Sequence, residues 1–428
     1  MKALTKIRIG FLALVAVAVW FTSCSSEDVA SGTNQGKMSS LTLSINTGKS
    51  MGSRATDWTT DPAGDENKIN RITVGIFSAD GNTLRTIVEL ASGDGKNNTF
   101  KSETKGASTT IVTNSLTDGD LIKVAVNAPK GHFVGIKKAS DFQAKSEDAS
   151  DALLTKADDS KEITKEACNN NVPMYGEGTL TPKNTGDNSV FEVSGGKVTV
   201  KHMLAKVSLK SLGVDFKAGS AYANAEFTPV AAFLINVPDK MNFTTDVWNS
   251  GADLLHGWSA YDTSDATKCT FNYTAGNTDG SGTYAQYLTT ENLTSATALS
   301  GTATSTAKAW FYTLPNDRVD NGATITNNTK LVIAGTFKEN KSTSSAAEMV
   351  YYSLPINATY DASTHKYVKP ADGAGSAFQV CPNQNYKCSV IIRTKGSSNP
   401  NTNLTPQAAE IKVEVADFVD VEQNAEFN

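Results

Sequence analysis

Short runs in which apolar and polar residues alternate recur along most of this chain of 428 residues. In an extended segment a two-residue period places the apolar side chains on one face, so each run predicts a half-buried β-strand. The runs that we interpret as strands cover residues 38–45, 72–76, 84–88, 109–113, 121–127, 196–209, 231–237, 309–314, 331–337, 349–356 and 386–393. Residues 140–156 instead have the composition of a short surface helix. The pattern therefore predicts an all-β protein with a minor α content.

Turn signals and composition refine this prediction. Asp80-Gly81 lies between two alternating runs and predicts a β-hairpin. The body of the chain is rich in Thr, Ser, Asn, Gly and Val, which is typical of extracellular β-sandwich proteins, and residues 249–305 read as long loops. A chain of this length can form two domains with separate cores, and we place the boundary near residues 212–213, just after the strand predicted over 196–209.

The N-terminus carries the pattern of a secretion signal. Three basic residues precede an apolar run over residues 11–21, which is too short to span a bilayer. The run ends at Thr22-Ser23-Cys24, and small residues directly before a cysteine suit a signal peptidase that cleaves ahead of a lipid-modified Cys. We therefore predict that residues 1–23 are removed and that acyl chains on Cys24 anchor the precursor to a membrane. The alternative is an ordinary signal peptide followed by an incidental cysteine.

The first predicted strand precedes a loop that a protease could cut. The apolar face of this strand is formed by Leu41, Leu43 and Ile45. The loop over residues 48–68 contains Arg54 among Gly, Ser, Thr and Asp residues. Because polar exposed loops are the preferred sites of proteolysis, the sequence predicts a cut between Arg54 and Ala55 that would separate the first strand from the rest of the chain.

The C-terminal segment shows the longest alternating pattern. Apart from Ala416 and Phe418, its apolar residues fall on odd positions and are Ile411, Val413, Val415, Val419, Val421, Ala425 and Phe427. Most even positions between residues 410 and 428 are charged or Asn, and a turn-rich connector over residues 396–406 precedes them. A strand rises about 3.3 Å per residue, so the segment could extend roughly 60 Å. That length exceeds what a strand needs inside its own domain.

Charge argues against one class of partner. The formal net charge is -5, and residues 1–54 hold six basic and two acidic residues, which leaves 33 basic and 42 acidic residues in the remainder and a net charge of -9 there. An acidic surface repels phosphate backbones, so we do not expect nucleic acid as a partner.

Enzyme and metal chemistry also find little support. The four histidines are scattered, and the sequence has no HExxH, Gly-x-Ser-x-Gly or CxxC motif, so we predict no catalytic residues, no metal and no cofactor. Cys381 and Cys388 flank a turn. They could pair across a hairpin in an oxidising compartment or remain free buried thiols.

Several of these features, taken in order, resemble the type V fimbrillins, the FimA-like and Mfa-like lipoprotein pilins. The motifs are the leader, the Arg in the loop after the first strand, Val172-Pro173-Met174-Tyr175-Gly176, Lys201-His202-Met203-Leu204-Ala205-Lys206-Val207, and Asn385-Tyr386 with the terminal tail. His202 stands where the family commonly has Arg.

The resemblance implies a particular domain organisation. We expect a propeptide over residues 24–54, two tandem β-sandwich-like (transthyretin-like) domains over 55–212 and 213–395, and a connector with a C-terminal donor strand over 396–428. In the family, a secreted Arg-specific protease removes the first strand, and the C-terminal segment of a neighbouring subunit fills the groove. The resemblance thus assigns donor-strand positions to Ile411, Val413, Val415, Val419 and Val421.

The resemblance also implies partners and location. The expected partners are other copies of the chain, accessory fimbrial subunits, an Arg-specific protease and receptors on host or bacterial surfaces. The lipid would hold the precursor on the outer membrane, and the mature subunit would lie in a cell-surface fimbrium that supports adhesion.

Two alternatives stay open. A glycan-binding outer-membrane lipoprotein would also be a lipid-anchored β-sandwich, with Trp248, Trp258, Tyr261 and Trp310 as a sugar-stacking platform, although core packing explains these side chains equally well. Such a protein has no need of the tail. Within fimbriae, the presence of both a cleavable Arg and a donor strand favours a shaft subunit over a tip or accessory subunit.

Overall fold

The structure is a computed structural model. It describes residues 38–47, 66–96, 98–103, 106–149, 152, 171–184, 187–244, 248, 252–257, 283–284, 291–293, 297–318, 327–344, 346–361, 363–364, 366–402 and 409–417. The first strands are β1 Met38–Asn46, β2 Arg71–Phe77, β3 Leu84–Ser92, β4 Thr99–Glu103, β5 Gly106–Asn114, β6 Leu121–Val126, β7 Ser146–Asp148, β8 Met174–Asn184, β9 Asp187–Val193, β10 Val198–Thr199 and β11 Lys201–His202. The later strands are β12 Ala205–Asp215, β13 Glu226–Pro238, β14 Lys240–Asn242, β15 Leu254–His256, β16 Thr283–Tyr284, β17 Glu291–Asn292, β18 Leu299–Ser300, β19 Thr302–Ser305, β20 Ala309–Thr313, β21 Lys330–Lys338, β22 Glu348–Pro355, β23 Thr359–Asp361, β24 Lys366–Val368, β25 Gln384–Ile392 and β26 Ala409–Asp417. A short helix, α1, spans Ala139–Gln143.

The strand content confirms the prediction of an all-β chain. The alternating runs near residues 38, 72, 84, 109, 121, 231, 309, 331, 349 and 386 all lie in strands. The hairpin predicted at Asp80-Gly81 is also present, because β2 and β3 pair antiparallel on either side of it. In each case one buried face selects the two-residue period.

Two local predictions are wrong. The helix predicted over 140–156 is not continuous, because α1 ends at Gln143 and residues 146–148 form β7, which pairs antiparallel with β14; most of residues 150–156 lie outside the described residues. The single strand predicted over 196–209 is divided among β10, β11 and β12. The chain turns out of one sheet and into another between His202 and Ala205, and an alternating pattern does not reveal such a change of partner.

Eight strands in the first half close into a barrel. Around the barrel the pairing order is β1, β5, β4, β3, β2, β6, β8 and β9, and β9 pairs back with β1. The junctions of β1 with β9 and of β3 with β4 are parallel, and the other six are antiparallel. The interior holds an apolar cluster that includes Leu41, Leu43, Phe100 and Phe191.

The barrel corrects the prediction of a β-sandwich for this half. Sandwich and barrel strands both have one buried face, so the same alternation fits either architecture. The parallel junction of β1 with β9, which closes the ring, joins strands about 150 residues apart, and local patterning does not specify it.

Two sheets form the second half. One has the order β19, β12, β25, β26, with β20 also on β12, and the other has the order β16, β15, β13, β21, β22, with β17 and β18 also on β13. Both sheets contribute to one apolar cluster, for example Val207 and Tyr386 from the first sheet and Leu234 and Ile333 from the second.

This cluster continues into the barrel half. Phe133 stacks on Phe142 with ring centroids 4.0 Å apart and contacts Phe243 of the second half at 5.2 Å. Strand β12 pairs with β19, β20 and β25. The domain boundary near residue 212 stays a prediction.

Candidate functional site

The first strand, β1, is one of the eight strands that form the barrel wall. β1 pairs with β5 along its whole length, from Met38 opposite Asn114 to Asn46 opposite Gly106. On its other side it runs parallel to β9 and then to β10, and the Asn46 carbonyl accepts a 2.9 Å hydrogen bond from the Val200 amide. Removing β1 would therefore leave two unpaired strand edges facing each other across a groove.

The same strand supplies part of the barrel core. Leu41 and Leu43 are 0% exposed and Ile45 is 3% exposed. Burying an aliphatic side chain contributes roughly 1.5–3 kcal/mol, so the three together contribute about 5–9 kcal/mol. The groove left by β1 would be apolar on its floor and polar along its edges.

Both ends of the predicted cleavage loop are fixed beside one short segment. The Asn46 carbonyl accepts a hydrogen bond from the Val200 amide, and the Glu66 carbonyl accepts a 2.9 Å hydrogen bond from His202 Nε2. Arg54 and Ala55 themselves lie outside the described residues. The loop that carries them therefore leaves and re-enters the fold next to residues 200–202.

A buried polar cluster holds the re-entry point. The Glu66 carboxylate accepts hydrogen bonds from the Tyr312 hydroxyl at 2.5 Å and from Lys206 Nζ at 3.3 Å. Lys206 Nζ also lies 5.5 Å from the centre of the Trp310 ring. Glu66 and Lys206 are 6% and 3% exposed, so the ion pair is well shielded from solvent.

Our sequence interpretation did not single out this cluster. A lysine in a run as apolar as residues 203–209 needs a buried partner, and that was the available signal for Lys206. Its partner Glu66 lies 140 residues away, so no local pattern points to it.

The C-terminal strand pairs with a neighbouring strand of the same chain. β26 pairs antiparallel with β25, from Ala409 opposite Ile392 to Asp417 opposite Gln384. In this register the predicted donor positions Ile411, Val413 and Val415 lie opposite Val390, Cys388 and Tyr386. Val419 and Val421 lie outside the described residues, and donation to another subunit stays a prediction.

The remaining candidates can be placed briefly. Cys381 and Cys388 are free buried thiols, and burial raises the pKa of Cys388 to about 12. Cys24 lies outside the described residues. Within the part of the chain that the structure describes, no group of three or more His, Cys, Asp or Glu side chains is placed to hold a metal ion. None of the helical residues there forms an apolar helix long enough to cross a membrane.

Comparison with known proteins agrees with this geometry. Residues 39–210 match the family model of the major fimbrial subunit protein (FimA). This confirms the resemblance to the fimbrillins for a range that begins in β1 and includes the whole barrel. No curated protein matches the sequence.

Solved structures show a similar fold along most of the chain. A fimbrilin (FimA) from Porphyromonas gingivalis is 16% identical, with a TM-score of 0.57 over 91% of this chain and 99% of that one. A candidate cell adhesion protein from Parabacteroides distasonis is also 16% identical, with a TM-score of 0.56 over 89% and 98%. One from Bacteroides eggerthii is 18% identical, with a TM-score of 0.53 over 90% and 98%. At these identities the likeness concerns the fold.

Proposed function

We propose that this chain, which resembles the major fimbrial subunits, is a structural subunit of a cell-surface fimbrium. In this proposal it is exported as a lipoprotein, cut after Arg54 and polymerised by exchange of strands between subunits. The observation that carries the proposal is the position of β1, a complete barrel stave that directly precedes the predicted cleavage loop.

The energetics of the groove support strand replacement. Once β1 leaves, the backbone groups of β5 that paired with it lose their partners, and unpaired groups beside an apolar floor are costly. A segment that restores the ladder and refills the positions of Leu41, Leu43 and Ile45 regains most of that free energy. Any replacement must therefore be extended and must carry apolar residues at every second position.

The C-terminal segment has the required pattern. Its apolar residues at positions 411, 413, 415, 419 and 421 have the same two-residue period, and its first part is already in the strand conformation at a sheet edge. Five buried aliphatic side chains contribute on the order of 10 kcal/mol before ordering costs, which is enough for a durable junction.

The carbohydrate alternative loses support from the position of Trp310. This side chain is 6% exposed and packs against the Tyr312 ring at 5.3 Å. A tryptophan in that position supports the core and offers no face to a sugar. Trp258 and Tyr261 lie outside the described residues.

Sequencing the N-terminus of protein sheared from the cell surface tests the proposal. The expected mature N-terminus is Ala55, and Arg54→Ala should leave uncut monomers. Lys49→Ala is the matched control, because it removes another basic residue of the same loop and should be processed and assembled normally. Surface polymers whose subunits still begin upstream of Leu41 would contradict the proposal.

A further inference from the structure

The connector that precedes the tail is attached to the body of the second half. Tyr351 and Ser397 exchange two backbone hydrogen bonds, of 2.8 Å and 3.0 Å. Two residues further along β22 and three further along the connector, the Ser353 hydroxyl donates to the Pro400 carbonyl. Residues 397–402 of the turn-rich connector are thus held against the sheet.

Asn401 of this connector is fully buried and accepts several hydrogen bonds. It is 0% exposed, and its side-chain oxygen accepts hydrogen bonds from Lys330 Nζ at 2.9 Å and from Asn236 Nδ2 at 3.0 Å. Its backbone carbonyl accepts a second bond from Lys330 Nζ at 2.6 Å. Hydrogen bonds to a charged donor are stronger than neutral ones, and the fully buried ammonium of Lys330 depends on these oxygens.

The partners of Asn401 are themselves fixed. Asn236 Nδ2 also donates to the Asn328 carbonyl at 3.0 Å. The Asn236 carbonyl accepts bonds from Asn316 Nδ2 at 2.9 Å and from the Thr329 hydroxyl at 2.8 Å. Strands β13 and β21 thus support the site from two sides, and the next described strand after Thr402 is β26.

We propose that Asn401 is the positioning residue at which the exchangeable tail leaves the subunit. This inference rests on the proposed function, because it concerns the segment that would be donated. The connector up to residue 402 then stays with its own subunit, and only residues 403–428 move to a neighbour. The clamp around Asn401 thereby sets how far apart, and how rigidly, successive subunits lie.

Hydrogen exchange on the uncut monomer tests the clamp without any polymer. Asn401→Ala removes the acceptor of two buried donors, so exchange of the Ser397 amide should become at least about tenfold faster. Asn401→Asp keeps an oxygen acceptor for Lys330 and Asn236, and among the described residues the side-chain nitrogen Nδ2 of Asn401 has no hydrogen-bond partner to lose. Protection of Ser397 in that variant should remain as in the wild type.

Asn357→Ala is the matched control. Asn357 is also 0% exposed and donates to the carbonyls of Ala374 and Ser376, so its loss should destabilise the second half to a similar degree. It does not contact the connector residues named above, and exchange at Ser397 should not rise beyond the change in global stability. If Asn401→Ala does not fold, Ser353→Ala removes only the bond to Pro400 and should give a smaller rise at the same amide.

Electron microscopy of surface fibres tests the consequence for assembly. Wild type, Asn401→Asp and Asn357→Ala should show one regular axial repeat. Release of residues 397–402 adds up to about 20 Å of slack per junction, so Asn401→Ala fibres should have a broader spacing and bend more readily. Unchanged exchange at Ser397, or faster exchange with an unchanged repeat, would overturn the inference. If wild type forms no fibres, the proposed function fails, and the exchange data alone decide whether Asn401 holds the connector.

Discussion

Gly106 shows how closely the removable strand approaches its neighbour. A Cβ atom at this position would lie 1.8 Å from the carbonyl oxygen of Ile45, and the backbone φ of Gly106 is 151°. No other residue type could stand here while β1 is in place. The close approach fixes where β1 ends on β5.

Gly106→Ala should therefore lower the free energy of unfolding of the uncut precursor by at least about 1–3 kcal/mol. This loss of stability should be smaller once β1 has been removed. Chemical unfolding of precursor and mature protein measures both values. Gly135→Ala is the control, because Gly135 also has a positive φ, of 81°, but has open space where the Cβ would be. An equal loss in precursor and mature protein would show that backbone strain alone, and not contact with β1, makes Gly106 necessary.

His132 gives the stability a pH dependence. Burial lowers the pKa of His132, the charge of Lys145 lowers it further, and Asp148 opposes the shift. The unfolded chain therefore takes up a proton near pH 6.5 that the folded protein resists. The stability contribution of the neutral imidazole is complete above pH 6.5 and is lost as the pH falls below that value.

Urea unfolding at pH 7.5 and pH 5.5 measures this effect. The free energy of unfolding should be lower at pH 5.5 than at pH 7.5. The difference should be smaller in His132→Gln, because glutamine does not titrate. Identical pH dependence in the two proteins would contradict the assignment to His132.

At the scale of elements, β1 and β26 are the two strands whose places matter for assembly. Deleting residues 410–428 should leave a folded subunit that is still cut, accepts a partner and offers no tail. Added to wild type, it should stop growing fibres at one end, which can be counted as shorter fibres by electron microscopy. A truncated protein that misfolds alone would show that β26 belongs to the core of its own sheet.

Individual strands were more predictable than their partners. The alternation of Leu41, Leu43 and Ile45 identified β1, and Asp80-Gly81 identified a hairpin, because each signal is local. The parallel pairing of β1 with β9 joins residues about 150 positions apart and has no local signature. The Glu66 and Lys206 pair was missed for the same reason.

At the scale of the molecule, the predicted lipid on Cys24 would hold the precursor at the outer membrane until it is cut. Labelled palmitate should enter the full-length precursor and be absent from Cys24→Ala, because the predicted acyl chains attach to that sulfur or to the amino group of the same residue. Cys381→Ala is the control, since that thiol is buried in the fold. Equal labelling of the Cys24 and Cys381 variants would contradict lipidation at Cys24.

The placement of both loop ends beside residues 200–202 gives the proposed cut a kinetic meaning. While residues 48–65 are intact, β1 stays covalently linked to the chain that forms its groove, and a short linkage within one chain gives an effective concentration in the millimolar range. A strand from another subunit, present at a concentration well below this effective concentration, cannot compete with β1 for the groove. After the cut, Glu66 stays attached through its hydrogen bonds with His202 and Lys206, whereas a departing β1 is diluted into bulk solvent. Proteolysis would then be an irreversible step that permits strand exchange, and subunits would not polymerise before they reach the cell surface.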